Sequence, residues 1–183
     1  NSRYQNFISG VTVLQARGSY NPMSLLFESQ RIAYSISTNA PGEVTVKGWG
    51  ASADFLLPKN FTIGANLYSD EIGDLPAGFV SYFNTSKYRA NLTFANSGFG
   101  TNNRYGFNLV YRTVSDFFYE GTFGTGQMPG YKTLDGQVSY KFPAIKSIVK
   151  VGGTNLLNKY YRTGWGNPSI GGLYYVSFAY NVF

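Results

Sequence analysis

Nine charged side chains stand on one parity of segments that otherwise alternate polar and apolar residues: Asp54, Lys87, Arg89, Arg104, Arg112, Asp116, Asp135, Lys141 and Lys150. Residues two apart in an extended chain share a face, so these charges would gather on one side of a sheet. Their chemistry is that of a wall that attracts, orients or repels polar solutes. Six are basic and three acidic, a bias toward anions such as an acidic ligand. Catalysis has little to draw on, because the 183 residues contain no His and no Cys. That removes the Ser-His-Asp and Cys-His nucleophiles and the commonest metal ligand. The remaining carboxylates are not visibly paired, so the expectation is a non-enzyme with no catalytic residue, no cofactor and no metal. Glu71 and Asp74 are near neighbours, but not at the spacing of a calcium loop. The run Gly121-Thr122-Phe123-Gly124-Thr125-Gly126 is only superficially a phosphate loop. It lacks a following Lys and a helical pattern, and reads as a flexible loop. Tyr160, Tyr161, Arg162 and Trp165 lie together in a late loop, where they could stack a sugar or contact a peptide. An interfacial aromatic girdle accounts for the tyrosines equally well.

The elements that position these residues are strands. Opposite the charged parity run Phe61, Ile63, Ala65 and Leu67, then Tyr88, Ala90, Leu92 and Phe94, then Tyr105, Phe107, Leu109 and Tyr111, then Leu134, Val138, Tyr140 and Phe142. A charge on a lipid-facing position at mid-membrane costs roughly 2–4 kcal/mol, and the sorting avoids that cost. Lys47 and Lys132 break the rule, both toward the end where the connections are long and a Lys can snorkel. The alternation places strands at about 1–13, 31–56, 61–68, 87–96, 104–118, 131–142, 147–157 and 170–183. Connections at 58–60, 96–103 and 143–146 are tight, and those at 14–30, 69–86, 119–130 and 158–169 are long. Aromatics make up 18% of the chain and charged residues 13%, about half the usual charged share. No run of 18 apolar residues exists, which excludes a helical span. The net charge of +6 could point to nucleic acid, but the basic residues form no run, and no nucleic-acid partner is expected. The fold class is therefore all-β, an antiparallel transmembrane β-barrel with about eight strands in view. A soluble β-sandwich with these two faces would have to bury its charges.

Four segments carry a family resemblance: Phe83 through Asn91; Gly130 through Tyr140; Gly153-Thr154-Asn155-Leu156-Leu157-Asn158-Lys159-Tyr160-Tyr161; and Gly166 through Tyr175, leading into the aromatic terminal strand. They resemble the carboxy-terminal barrel of TonB-dependent outer-membrane receptors of the Bacteroidetes type. Ser86 stands where that branch often has Pro, and Phe183 is out of phase with Phe178 and Tyr180. The resemblance implies the last third of a 22-stranded barrel, with the plug domain and TonB box outside this chain. It implies a bacterial outer-membrane location and TonB-energised import of a nutrient such as a siderophore, glycan or peptide. The implied partners are the TonB-ExbB-ExbD complex through the plug, the barrel-assembly machinery, lipid and lipopolysaccharide, and a surface lipoprotein. Tyr174, Phe178, Tyr180 and Phe183 would form the assembly signal, and the nine charges would face the lumen or contact the plug. The chain opens Asn-Ser-Arg-Tyr-Gln with no Met or signal peptide, as expected of a mature protein or a fragment. The alternative is a complete eight-stranded outer-membrane barrel with a structural or adhesive role.

Overall fold

The computed structural model describes residues 1–23, 26–73, 75–121 and 124–181. It contains β1 (Ser2–Tyr4), β2 (Ile8–Asn21), β3 (Leu26–Asn39), β4 (Val44–Leu57), β5 (Phe61–Ile72), β6 (Tyr88–Phe99), β7 (Tyr105–Val114), β8 (Phe117–Gly121), β9 (Gly124–Met128), β10 (Tyr131–Phe142), β11 (Ser147–Thr154) and β12 (Leu173–Tyr180). The chain forms two compact units, Asn1–Lys47 with Ile72–Phe83, and Gly48–Glu71 with Asn84–Phe183.

In the first unit, β2 and β3 form a long antiparallel hairpin whose register runs from Ile8↔Asn39 to Asn21↔Leu26. Most of the segment 14–30, expected as a loop, is therefore strand. Arg17, Gly18 and Ser19 look like loop residues singly, but each has a backbone partner across the hairpin. The expected strand 31–56 is divided between β3 and β4. The break contains Pro41, which lacks an N–H, and Gly42 at φ +121°, a conformation suited to glycine. β1 pairs with the start of β4, Tyr4 opposite a fully buried Val44.

In the second unit, an antiparallel sheet runs in the order β4-β5-β6-β7-β10-β11-β12. Its register places like parities opposite one another. Asn66, Asn91, Arg112 and Thr133 form one row, and Ala65, Leu92, Tyr111 and Leu134 form the next on the other face. A slip of one residue in any strand would reverse that sorting. The strand expected over 104–118 stops at Val114; just beyond it the Ser115 N–H donates to Tyr88 O at 2.9 Å while the Ser115 hydroxyl accepts the Tyr88 N–H at 3.2 Å. Part of the expected loop 119–130 then forms the β8–β9 hairpin.

The sheet's tight turns contain short 3₁₀ segments at Pro58–Asn60, Thr101–Asn103 and Pro143–Ile145. Lys59, Asn60, Asn102, Asn103 and Lys146 take positive φ, which Asn tolerates best among side-chain-bearing residues. Asn96, 2% exposed, donates from Nδ2 to the Lys59 carbonyl at 2.9 Å, and Asn60 returns a bond to Gly98 O at 3.0 Å.

Among the described residues the apolar face of this sheet has no cover within its unit. Leu92, Phe94, Val138, Val151 and Phe178 are all exposed, and Val176 is 75% exposed. A water-soluble sandwich would bury such a face. Near the tight turns it carries a chain of rings: Phe61, Phe94, Phe107, Phe99, Tyr105, Tyr140 and Phe142, with successive centroids 4.7–5.9 Å apart. β5, β6 and β10 have 12 residues each. At roughly 3.4 Å per residue and a tilt near 40° such a strand reaches about 30 Å across a membrane, the thickness of the hydrocarbon core. Among the described residues no helix is long and apolar enough to cross a membrane.

Candidate functional site

The polar face of the second unit brings together residues from five strands because small residues lie beneath large ones. A Cβ on Gly50 would stand 3.2 Å from the Tyr68 ring, one on Gly48 would meet the Asp70 carboxylate, and one on Gly64 would meet the carboxylate of Asp54. Gly152 sits similarly under Tyr175, whose hydroxyl donates to Gln137 Oε1 at 3.0 Å.

At the long-loop end of this face is a cleft of about 390 Å³ lined by Tyr68, Arg89, Asn91, Arg112, Tyr131, Thr133 and Tyr161, among others. Tyr131 and Tyr161 stack with centroids 4.1 Å apart and planes at 19°. Arg89 donates to the carboxylate of Asp70. Arg112 Nε donates to Asp135 Oδ2 at 2.7 Å, while Oδ1 of the same carboxylate accepts the Asn155 N–H at 2.9 Å. The guanidiniums are thus held by fixed acids rather than left free. The arrangement can hydrogen-bond hydroxyl and amide groups against an aromatic platform, the chemistry suited to a polar organic solute or a protein surface.

Asp70, the carboxylate that holds Arg89, was missed by sequence reasoning because β5 continues to Ile72 instead of ending near residue 68. Its signal was present: Thr62, Asn66, Tyr68 and Asp70 keep one parity. Lys87 precedes β6 and continues its register, its carbonyl accepting the Asp70 N–H at 3.1 Å; its Nζ lies 2.8 Å from Glu71 Oε1 and 5.7 Å from the centroid of Tyr88. Tyr88 belongs to the aromatic parity. The hydrogen bond and charge of Glu71 raise the Lys87 pKa above its ordinary value. With Asp70 added, the expected set stands at six basic residues, Lys87, Arg89, Arg104, Arg112, Lys141 and Lys150, against four acidic, Asp54, Asp70, Asp116 and Asp135.

The other expected residues lie at intervals along the unit. Lys150 is opposite Ser177 in the ladder. Lys141 Nζ donates to Ser97 O at 3.1 Å near the tight turns. Arg104 follows the turn at Thr101–Asn103, and its buried Nε has no hydrogen-bond partner among the described residues. Asp116 accepts from Gln127 Nε2 at 2.7 Å, beside the β8–β9 hairpin.

The four residues of the late loop do not act as one group. Tyr161 joins Tyr131 in the cleft, Arg162 donates to Ser169 Oγ at 3.0 Å, and Tyr160 lies beside Gly171. Trp165 covers β9: a Cβ on Gly124 would be 3.3 Å from its own Cβ, and one on Gly126 would be 3.4 Å from its Nε1. The run 121–126, read as a flexible loop, contributes strand residues to this hairpin. Asn84 grips the other strand, donating to Glu120 O at 2.8 Å and accepting the Glu120 N–H at 2.7 Å. Asn155 and Asn158 build the turn of the Asn-Leu-Leu-Asn segment, both at positive φ. Of the terminal aromatics, Tyr174 is opposite Gly153 and Phe178 opposite Val149 on the aromatic parity, with Tyr180 opposite Ser147. Phe183 lies outside the described residues, as does Asp74.

Compared with known families, residues 1–156 match the model described as TonB dependent receptor-like, beta-barrel. No curated protein matches the chain.

Proposed function

Because the chain belongs to the TonB dependent receptor-like β-barrel family, we propose that it is part of the wall of an outer-membrane transporter that imports a nutrient with energy delivered by TonB. The observation that carries this reading is the sorting of one sheet into an uncovered apolar face and a charged, hydrogen-bonded face. The apolar face meets lipid, and the polar face meets the lumen. Its cleft around Arg89, Arg112, Tyr131 and Tyr161 contacts the plug or the passing solute. The motifs Asn155 through Tyr161 and the terminal strand support the carboxy-terminal third of a 22-stranded, Bacteroidetes-type barrel. Tyr174, Phe178, Tyr180 and Phe183 engage the barrel-assembly machinery, and the long-loop end faces outward, where a surface lipoprotein can cover it. The TonB-ExbB-ExbD complex acts through the plug.

The test is the intact mass of the native protein carrying this sequence, extracted from outer membranes. A species several times heavier than 20.2 kDa is expected. A native species of 20.2 kDa would instead make it a self-contained small barrel and remove the import mechanism.

A further inference from the structure

The sheet wall ends where β7 stops at Val114 and β10 begins at Tyr131, and at that edge residues of both parities share one hollow. Its volume is about 480 Å³, and its lining includes Ser115, Asp116, Lys132, Lys159 and Tyr160. Tyr131 and Tyr161 line this hollow and also the cleft of the polar face, so the stacked rings are a wall common to the two. The two sides of that wall differ in charge. In the cleft the guanidiniums of Arg89 and Arg112 are held by Asp70 and Asp135, which leaves neutral groups such as those of Tyr68 and Asn91 to meet a solute. In the hollow Lys132 and Lys159 are exposed. The ion pairs of the described residues, Arg3–Glu43, Lys87–Glu71, Arg89–Asp70 and Arg112–Asp135, include neither of them. Asp116 beside them is engaged by Gln127. Two short segments, 130–132 and 159–161, each deliver a ring and an ammonium. Gly130 packs the first against the end of β7, since a Cβ there would stand 2.6 Å from Val114 O and 2.8 Å from the Asp116 nitrogen. The second is held at both ends: Asn155 donates to Lys159 O at 2.9 Å and accepts the Lys159 N–H at 3.3 Å, and Tyr161 exchanges backbone hydrogen bonds with Ile170 at 2.8 and 3.2 Å.

We propose that hollow and cleft form one site for an acidic sugar, its carboxylate or sulfate held in the hollow by Lys132 and Lys159 and its hydroxyls reaching past the tyrosine pair to Tyr68 and Asn91. Charge complementarity selects the anion, because two unpaired ammoniums share the hollow and its one carboxylate is already engaged. The cleft selects the rest of the solute: its own charges are paired, and what it offers is aromatic surface with neutral donors and acceptors, which suits the apolar face and the hydroxyls of a sugar ring. The site also gives a role to Lys132, which stands outside the charge sorting of the sheet. The proposal rests on the polar face being the lumen wall of a transporter, and it narrows the solute of that transporter to one class.

The test measures equilibrium binding by the full-length protein purified from native membranes into detergent, with trigalacturonate and a chondroitin sulfate disaccharide as acidic probes and galactotriose as the uncharged control. At least one acidic probe should bind more tightly than galactotriose, and Lys132→Gln/Lys159→Gln should weaken that binding about 30-fold. Added salt should weaken it in wild type and do so less in the double variant. Tyr161→Ala should weaken it with both lysines present, and heat-dependent gel mobility checks that each variant is folded. Acidic probes that bind no better than galactotriose overturn the proposal, and so does a double variant that binds them as wild type does. A tetraglutamate peptide bound more tightly than both acidic sugars overturns it in favour of an acidic peptide. Loss of copurifying lipopolysaccharide from the double variant with sugar binding unchanged would assign the two lysines to the membrane surface and overturn it as well. Each of these failures leaves the transporter reading standing, whereas a native mass no larger than that of this chain removes the transporter reading and the proposal with it.

Discussion

The carboxylate of Asp135 in β10 accepts the backbone N–H of Asn155 at 2.9 Å while also holding Arg112 of β7. One side chain thus ties a sheet position to the turn that carries Leu156 and Lys159. Asp135→Ala should leave the buried Asn155 amide unsatisfied and cost about 1–3 kcal/mol. Asp135→Asn keeps an acceptor and loses mainly the charge pair with Arg112, worth about 1 kcal/mol; the Arg112 side chain is about half exposed while that of Asp135 is largely covered. The temperature of the heat-induced mobility shift should therefore fall more for Ala than for Asn. Equal shifts would mean that the Asn155 contact contributes nothing.

Neighbouring residues of β6 should respond oppositely to the same substitution. Leu92→Arg puts a charge on the apolar face at a cost of about 2–4 kcal/mol, and it should block accumulation of folded protein in the outer membrane. Asn91→Arg, in the polar row with Arg112, should assemble at near wild-type levels. If the two assembled equally, the assignment of faces would fail.

Asn84 substitutes for a strand along β8. Asn84→Ala should remove the acceptor of the Glu120 N–H and speed its hydrogen exchange about tenfold, with little effect on Met128 at the far end of the hairpin. Unchanged exchange at Glu120 would show that the bracket adds no protection.

The fold class and the sorting of faces were legible in the sequence because a two-residue period survives in β5, β6, β7 and β10 whatever the exact strand ends. Strand ends were not legible where local signals conflict with pairing. Arg17, Gly18 and Ser19 look like a loop yet lie in β2 because β3 pairs with them. The segment 121–126 looked flexible, but Trp165, some forty residues later, fits over Gly124 and Gly126. The cleft was half legible. Arg89 and Arg112 announced themselves, whereas Asp70 was hidden in an expected loop. The Tyr131–Tyr161 stack joins residues thirty positions apart that no periodicity connects.

These 183 residues contain no Cys, so single-cysteine labelling within them reads the central claim once any cysteine elsewhere in the full-length protein has been replaced by Ser. A fluorophore on Leu92→Cys and another on Asn91→Cys, each in the full-length protein reconstituted into bilayers, can be compared for quenching by nitroxide-labelled lipid. Strong quenching at position 92 and weak quenching at position 91 is the predicted result. Equal or reversed quenching would contradict a barrel wall with lipid on the aromatic face and solute on the charged one.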